Sequence, residues 1–471
     1  MMTHTLRFAP LMLSVALAGC VNLAPDYERV APPVPDVLPV SDAETGAEQV
    51  PGWQDLVESD ALESLIQLAL ENNRDLRSAT ARIAIAEAQY GITRAARLPT
   101  LSATGAVTEA GALDGDDAAA FLTDSAQAQL GVTAYELDLF GRVASLNEAA
   151  LQTYLSTVEG ERSVKISLIS SVAQAWLTLA ADQERLRLAQ ETVESQGKSL
   201  ALTQELFDSG VVTEIDVRRA SASVETAKAQ VAQFTGLVRQ DVNALRLVVG
   251  ANLPANVAEQ AVLSPSPVKD RLAVDAPSDI LLNRPDVLAA ERQLRAANAN
   301  IGAARAAYFP TISLTGSAGY SSTGLDDLFD GGGAWSIGPQ VSLPIFDGGS
   351  RKASLGVSKA SRDLALAEYE QSIQTAFRET ADALAIAQTV DERIDALRRL
   401  VDDTSVTLNL SQERFRVGID DYFSVLDAQR ADYDSRQTLI SAELDRALNV
   451  VALFRALGGG PVVTVTADQG A

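Results

Sequence analysis

The sequence predicts an α+β membrane protein with a two-fold internal repeat, in which each chain contributes four β-strands and long, coiled-coil-like helices. The first observation is the repeat itself, since the segment Asp75 to Ser102 recurs as Asp286 to Ser313 at an offset of 211 residues. The second is a pair of proline-free runs, 142–207 and 351–415, each long enough for an unusually extended helix. The third is a set of segments in which apolar and polar residues alternate, as in a strand with one apolar face.

Composition excludes several classes of function. The chain of 471 residues has a formal net charge of -24, so nucleic acid is a poor partner. Its single histidine, His4, and its single cysteine, Cys20, both lie near the amino terminus. The rest of the chain therefore lacks the side chains for Ser-His-Asp or Cys-His catalysis, for His or Cys metal sites and for intramolecular disulfides. We expect no metal site and no cofactor, while carboxylate, lysine or tyrosine chemistry stays open at this point.

Residues 1–19 predict a lipoprotein signal peptide. An apolar run from Phe8 to Ala18 is too short to span a bilayer as a helix, and Cys20 follows it in a sequence, Leu17-Ala18-Gly19-Cys20, that looks like a bacterial lipobox. The thiol of Cys20 would then carry the lipid, including palmitate, and would begin the mature chain. The alternative is an ordinary signal peptide with a chance cysteine. Val21, in place of an aspartate, favours the outer membrane as the destination.

The mature chain divides into five segments. Residues 20–74 are a lipidated segment whose prolines predict an extended tether, followed by a short helix. Residues 75–250 and 286–458 are the two repeats, each with a helix, two strands, a long helix and a further helix. Residues 251–285 link them, and residues 459–471 are a carboxyl-terminal tail. No segment after the signal peptide has 18 uninterrupted apolar residues, so we expect no transmembrane helix.

The long runs predict helices that pack side by side. In the first run, apolar residues recur every seven positions from Leu151 to Phe207, with an interruption at Lys165, and a similar repeat runs from Leu366 to Phe415. At 1.5 Å per residue such helices reach roughly 100 Å. The shorter helical runs of each half add up to a similar length, so each half can form one two-stranded helical unit. These shorter runs are 75–97 with 213–249, and 286–307 with 420–457.

One strand pair is predicted in each repeat. Residues 100–108 and 127–135 alternate in the first repeat, and residues 311–320 and 335–345 alternate in the second. Strands of about 10 to 14 residues with one apolar and one polar face fit a membrane barrel with a wet lumen, while a soluble β-sandwich is the alternative. Four strands cannot close a barrel in a bilayer, so the protomer must oligomerise. The pattern does not choose between two chains and three.

Several motifs together resemble the TolC-like outer-membrane factors, in the lipoprotein branch that serves tripartite efflux pumps of the resistance-nodulation-division type. They are the lipobox at Cys20, the segment Asn22 to Tyr27, the repeated Pro-Thr strand starts, and the segments Asp138 to Arg142, Phe346 to Gly349 and Leu426 to Arg430. The resemblance implies a homotrimer with a 12-stranded β-barrel in the outer membrane and an α-helical barrel in the periplasm.

The same resemblance implies the partners and the role of the chain. A periplasmic adaptor, or membrane fusion protein, and an inner-membrane efflux transporter would deliver drugs or other small molecules. The chain would be the passive exit duct, anchored by lipid in the outer membrane and extending into the periplasm. The linker 251–285 would lie in the equatorial region of the tunnel.

The resemblance also implies that the turns 207–217 and 415–425 form the periplasmic tip and gate. From the residues alone, Gly210 and Gly418 are expected to end helices in the left-handed conformation, and Thr213 with Asp216 resembles a capping box. By motif matching, Asp216 falls at a position known for gate carboxylates.

Other gate positions depart from TolC itself. Asp427 matches a gate carboxylate, and Asp420 a position where lipoprotein-branch members often carry an acid. However, Phe415, Asp420 and Ser424 stand where TolC has a tyrosine, an arginine and an aspartate. Closure would therefore rest on other contacts.

Three acids, Asp420, Asp421 and Asp427, would each appear three times around the axis of a trimer. We expect such rings to concentrate cations, so that multivalent cations block the channel and exchange of Asp420 and Asp421 for asparagine weakens the block. The alternative role for these two acids is helix capping.

Two other classes of function remain as alternatives. One is a lipid-anchored periplasmic adaptor or scaffold made of helical hairpins. The other is a carboxylate enzyme such as a glycosidase, but the acid pairs Asp326-Asp327 and Asp402-Asp403 come without an aromatic-lined cleft. We therefore predict that the chain is not an enzyme.

Overall fold

The computed structural model describes residues 22–38, 52–110, 124–271, 278–330 and 333–460. Cys20 and the predicted signal peptide lie outside the described residues, as does most of the predicted tail. In chain order the elements are α1 (Trp53–Leu56), α2 (Asp60–Asn72), α3 (Arg74–Ala95), β1 (Leu101–Thr108), β2 (Ser125–Glu136), α4 (Arg142–Asp208), α5 (Glu214–Val249), α6 (Val257–Gln260), a short 3₁₀ helix (Ser278–Asn283), α7 (Pro285–Ala306), β3 (Thr311–Ser322), β4 (Ala334–Ser342), α8 (Ser350–Arg416) and α9 (Tyr422–Ala456).

The described residues form two compact units. The strand unit comprises the described parts of 22–31, 82–158 and 289–369, and the helical unit comprises the described parts of 32–81, 159–288 and 370–460. Each unit draws on both repeats, so the two halves of the sequence do not fold as separate domains.

The strand unit contains one antiparallel sheet in the order β1-β2-β3-β4. The central pair, β2 with β3, joins the two repeats and places Ala126 opposite Ser322. β1 and β4 have 8 and 9 residues, which is shorter than predicted. β4 ends at Ser342, which is the last residue of its ladder with β3. Among the described residues, the outer edges of β1 and β4 have no strand partner.

The outer strands do not bury an apolar face inside the protomer. Their large apolar side chains are all more than half exposed, as in Leu101 (68%) and Trp335 (77%). A soluble sandwich would cover one face of such a sheet, so this arrangement favours the barrel over the sandwich.

The predicted helices are confirmed, and most ends agree within two residues. α4 and α8 each have 67 residues. α4 contains one stretch whose length and composition would suit a membrane span. More than half of that stretch is buried, and Trp176, Leu177 and Leu179 of α4 pack in the core of the helical unit, so the stretch fits a core helix.

In the helical unit, each repeat has a hydrogen bond that joins the start of its first helix to the end of its last helix. In the first repeat the Asn73 side-chain amide donates to the carbonyl of Val248 at the end of α5 (2.7 Å). In the second, Arg284 donates to the carbonyl of Ala456 at the end of α9 (2.7 Å). Each donor stands just before the first helix of its repeat, so the first helix is tied to the end of the last. We call these contacts the clasps.

Candidate functional site

The two turns predicted to form the tip lie in the helical unit and have the same backbone. Gly210 ends α4 with φ of +74°, and Gly418 ends α8 with φ of +75°. The N–H of the following residue, Val211 or Ile419, bonds back to a carbonyl of the last helical turn, at 2.9 Å in each case. The predicted left-handed helix ends are therefore confirmed at both positions.

Asp216 caps the helix that follows the first turn. Its carboxylate accepts from the Thr213 backbone N–H (3.1 Å) and from the Thr213 hydroxyl (2.7 Å). Arg219 lies 3.6 Å from the other carboxylate oxygen. This contact agrees with the capping motif in the sequence, and it gives the negative charge of Asp216 two local partners.

Asp421 caps the helix that follows the second turn. Its carboxylate accepts from the backbone N–H of Ser424 (3.2 Å) and from the Ser424 hydroxyl (3.1 Å). The structure thus supports the capping alternative for Asp421.

Asp420 forms an ion pair that the sequence analysis missed. Arg414 donates from Nε and from Nη2 to the two carboxylate oxygens, at 2.6 Å and 2.8 Å. The guanidinium lowers the pKa of Asp420 through these hydrogen bonds. Within the protomer the charge of Asp420 is therefore paired with a guanidinium, which the prediction of a free carboxylate at this position did not include.

Phe415 lies inside the protomer. Its ring is 5.6 Å from that of Tyr422 in an edge-on arrangement, and both side chains are buried with Ala220, Val425 and Leu426. Burial raises the pKa of Tyr422. Phe415 thus holds the start of α9 against the end of α8.

Asp427 is exposed in the second turn of α9. It forms no hydrogen bond or ion pair with any residue that the structure describes. Of the predicted gate acids it is therefore the one whose carboxylate has no partner among the described residues of the protomer.

Exposed apolar side chains occur at equivalent places in the two turns. Val211 and Ile419 are 61% and 63% exposed, and Ile215 and Phe423 are 62% and 54% exposed. The offset of 208 residues relates the members of each pair, so a comparison of the repeats would have identified them. We call these four residues the tip knobs.

A polar groove of about 250 Å³ lies between α5 and α9 with α4 at its base. Arg219, Arg430 and Gln429 line it, and Gln429 is buried. Within the described chain the Gln429 Oε1 atom has no hydrogen-bond partner, so it can accept one from a bound group. In the same part of the chain no group of three or more His, Cys, Asp or Glu side chains could hold a metal ion.

Comparison with known families finds one match. Residues 65–251 and 276–459 match the family described as outer membrane efflux protein. The two matched ranges contain the two repeats and both turns.

Curated relatives cover nearly the whole chain. It is 43% identical over 454 residues to the probable efflux pump outer membrane protein TtgC of Pseudomonas putida, covering 94% of this chain and 93% of that protein. It is 40% identical over 455 residues to the outer membrane protein OprJ of Pseudomonas aeruginosa, covering 96% and 95%.

Solved structures have the same fold. The open-state MtrE outer membrane channel of Neisseria gonorrhoeae superimposes with a TM-score of 0.86 at 35% identity, covering 93% of this chain and 98% of that one. A membrane protein from Pseudomonas aeruginosa gives a TM-score of 0.85 at 40% identity, covering 93% and 97%.

Proposed function

We infer that the two turns form the periplasmic gate of an export duct, because this chain belongs to the outer membrane efflux protein family. The chain is the outer-membrane exit duct of a tripartite efflux system. It acts as a homotrimer with a periplasmic adaptor and an inner-membrane transporter. It is a transport protein, and we propose that it has no turnover chemistry of its own.

The uncompensated charge of Asp427 supports the gate proposal. In a trimer every residue appears three times around the axis, so an unpaired carboxylate becomes a ring of three. The charge of Asp420 is offset by Arg414, while Asp216 and Asp421 bond to helix starts. We therefore assign the cation-attracting ring of the gate to Asp427.

The tip knobs support a contact with the adaptor. Exposed apolar side chains at repeated positions are typical of surfaces that a partner covers. With two turns in each of three protomers, the tip offers six similar sites. The polar groove, with its unpartnered Gln429 Oε1, would then receive polar side chains of the same partner.

The gate proposal predicts opposite effects on cation block for two substitutions that each replace a charged side chain by an uncharged one. Purified trimers in a planar bilayer are exposed to hexamminecobalt(III) from the periplasmic side, and the concentration that halves the current is measured. Asp427→Asn removes the free carboxylates, so we expect block to need about tenfold more cation. Arg414→Gln releases Asp420 from its ion pair, so block should need less.

Asp208→Asn is the matched control, since it removes an acid near the same tip. If Asp427→Asn is blocked at the same concentration as the parent, Asp427 does not line the gate. If Arg414→Gln weakens block, Asp420 does not face the ion path.

We also propose that Cys20 carries a lipid anchor. The barrel supplies most of the membrane affinity in this proposal, and the lipid adds a second attachment. Labelling of the chain with palmitate tests this proposal, since the parent should incorporate the label and Cys20→Ser should not.

A further inference from the structure

Residues 22–31 lie in contact with α7 in the strand unit, although the prolines of this region predict a tether. Glu291 of α7 receives most of the polar contacts. The Tyr27 hydroxyl donates to its carboxylate (3.1 Å), and Arg29 donates from Nε (3.2 Å) and Nη2 (2.5 Å). The segment is extended, as expected, but it is bound to α7 and is not a free tether.

Further contacts continue along the same face of α7. Arg295 donates to Glu291 (2.7 Å), and its guanidinium lies 4.5 Å from the centre of the Tyr27 ring. Asn298 donates to the carbonyl of Pro25 (2.7 Å), and Arg305 donates to the carbonyl of Leu23 (3.0 Å). The polar contacts thus follow the segment from Arg29 back to Leu23.

A glycine provides the space for the closest approach. A Cβ atom on Gly302 would lie 2.8 Å from the backbone nitrogen and the Cβ of Ala24, and 2.6 Å from the Ser145 hydroxyl oxygen. The Ser145 hydroxyl can rotate away, but the backbone of Ala24 cannot. Any larger residue at position 302 therefore displaces the segment.

The first repeat lacks this arrangement. The position equivalent to Gly302 is Gly91 on α3, where an added Cβ would meet nothing within 4 Å in the described protomer. The positions equivalent to Glu291 and Asn298 hold Thr80 and Glu87. The second repeat therefore carries contacts that the duplication itself does not explain, and we call them the seat.

The seat places the start of the segment at the base of the sheet. Arg305, which holds Leu23, is the next-to-last residue of α7, and β3 begins at Thr311. An extended chain spans at most about 3.6 Å per residue, so three residues give a lipid on Cys20 a reach of about 11 Å from Leu23. A free tether of some thirty residues would instead let its end range over about 30 Å.

We propose that the seat on α7 is a positioning device that holds the lipid anchor beside the base of the barrel strands and thereby speeds their insertion into the bilayer. Holding two membrane-seeking parts of one chain close together raises their effective concentration at the same patch of bilayer. The inference rests on the lipidation of Cys20 proposed above. Glu291 and Gly302 act here as positioning residues.

The test is a double-mutant cycle in the full-length chain expressed in a bacterial outer membrane. The half-time for newly made chains to form heat-stable trimers is measured for Glu291→Gln and Gly302→Ala, each with Cys20 intact and with Cys20→Ser. With Cys20 intact we expect each seat variant to slow assembly about tenfold. In the Cys20→Ser background, which is already slow, the seat variants should add no further delay.

Two controls accompany the cycle. Gly91→Ala makes the same change at the equivalent position without a seat, and it should leave the half-time unchanged. Tryptic cleavage after Arg29 in assembled trimers reports the seat directly, and it should become faster in both seat variants and not in Gly91→Ala. Glu291→Gln preserves the size and shape of the side chain. If Gly302→Ala fails to fold, the half-time of Glu291→Gln alone tests the proposal.

The outcomes separate the two proposals. Failure of the parent chain to incorporate labelled palmitate at Cys20 defeats the lipid anchor. Normal labelling, combined with an equal delay from the seat variants in both backgrounds, shows that the seat only packs the protomer and overturns the inference. Normal labelling with no delay in either background overturns it as well.

Discussion

Glu291 accepts hydrogen bonds from three side chains at once. Burial alone would raise its pKa, but the hydrogen bonds from Arg29 and Arg295 dominate and lower the pKa of Glu291 to about 2. Burial and the same carboxylate raise the pKa of Tyr27 to about 12. The seat is therefore held by a carboxylate that stays ionised far into the acid range.

The lowered pKa predicts how acid affects the seat. The carboxyl titrates near 4.5 when exposed and near 2 in the folded protein, so its contribution is complete above about 4.5 and is lost as the pH falls towards 2. We expect hydrogen exchange of residues 22–31, corrected for the intrinsic rate, to rise through this window in the parent. Glu291→Gln should exchange faster at neutral pH and show little change between pH 4.5 and 2. Parallel pH profiles for the two proteins would contradict the assignment.

Single residues at the tip differ in how far the sequence could predict them. Gly210 and Gly418 were predictable because the left-handed end of a helix is set by a few neighbouring residues. The partner of Asp420 was not, since Arg414 reaches it only after the turn folds the chain back. The burial of Phe415 was not predictable either, because it depends on the position of Tyr422 and the facing helix.

The helices of each repeat are closed by clasps of unequal strength. Asn73 offers one neutral amide donor to α5, and it also caps α3 through the backbone N–H groups of Asp75 and Leu76. Arg284 is buried and binds Asp286 and Glu379 in addition to the carbonyl of Ala456. The second clasp therefore contains charges that would be left unpaired if Arg284 were removed.

We expect the two clasps to respond differently to truncation. Arg284→Ala removes a buried guanidinium and its hydrogen bonds to two partly exposed acids, so it should cost about 2–3 kcal/mol. Asn73→Ala removes a cap and one hydrogen bond and should cost about 1–2 kcal/mol. The urea concentration at the midpoint of unfolding, measured in detergent, should fall further for Arg284→Ala. Equal midpoints would show that the charges around Arg284 relax into water.

Two acids face each other where α4 meets α5. Asp182 is buried and accepts from Arg185 (2.6 Å), which also donates to Ser441 of α9 (3.0 Å). Burial, and then the neighbouring Asp182, raise the pKa of Asp241 to about 6. Arg185 bonds to Asp182 and acts on Asp241 only through a weaker electrostatic attraction, so the Asp241 carboxyl favours the protonated form.

This pair predicts a loss of stability as the pH rises. A raised pKa in the folded state contributes stability below the exposed value near 3.8, and the contribution is lost as the pH passes about 6. Asp241→Asn should therefore be more stable than the parent at pH 8 and should lose the difference at pH 4. Thermal unfolding in detergent at the two pH values measures this. A constant difference would mean that Asp241 does not titrate in this window.

Secondary structure was predictable to the extent that it depends on local patterns. The long helices follow from apolar residues at seven-residue spacing, and their ends from glycine and capping residues. The length of β4 was overestimated, because alternation continues through Leu343 and Ile345 after the hydrogen-bonded ladder has ended at Ser342, whereas β2 and β3 are two to three residues longer than predicted. Alternation records which face is apolar, whereas the ladder depends on the partner strand.

The strand unit leaves an apolar row uncovered on each of two helices. On α3, Ile85 and Ile92 are 69% and 66% exposed, and on α8, Val357 and Leu364 are 66% and 61% exposed. Each pair has the seven-residue spacing of a coiled-coil contact. In the homotrimer we expect these rows to pack against neighbouring protomers.

A charge in either row should therefore disrupt assembly. We expect Ile92→Asp and Val357→Asp to shift the detergent-solubilised protein from about three protomers' mass towards a monomer, because each places three carboxylates in apolar contacts. Leu325→Asp alters an equally exposed apolar residue outside both rows and serves as the control. A trimer unchanged in mass and heat resistance for both row variants would remove these helix faces from the interface.

At the scale of the whole molecule, the strand pattern predicted the need for an oligomer, and the resemblance to the outer-membrane factors, rather than the pattern, predicted the homotrimer. Four strands with open edges require partners, whichever number closes the barrel. The docking of residues 22–31 was missed for a different reason. Their prolines exclude a helix, but only the folded α7 brings Glu291, Asn298 and Gly302 onto one face.

The open edges of β1 and β4 have a genetic consequence. The edge strands of each protomer must pair with those of two neighbours. One chain with a defective edge strand therefore prevents the whole barrel from closing. If such a chain is produced in equal amount with the normal chain and mixes freely, only about one trimer in eight escapes it. A defective allele should therefore be dominant over the normal one, and the sensitivity of cells to exported compounds should rise with its dosage.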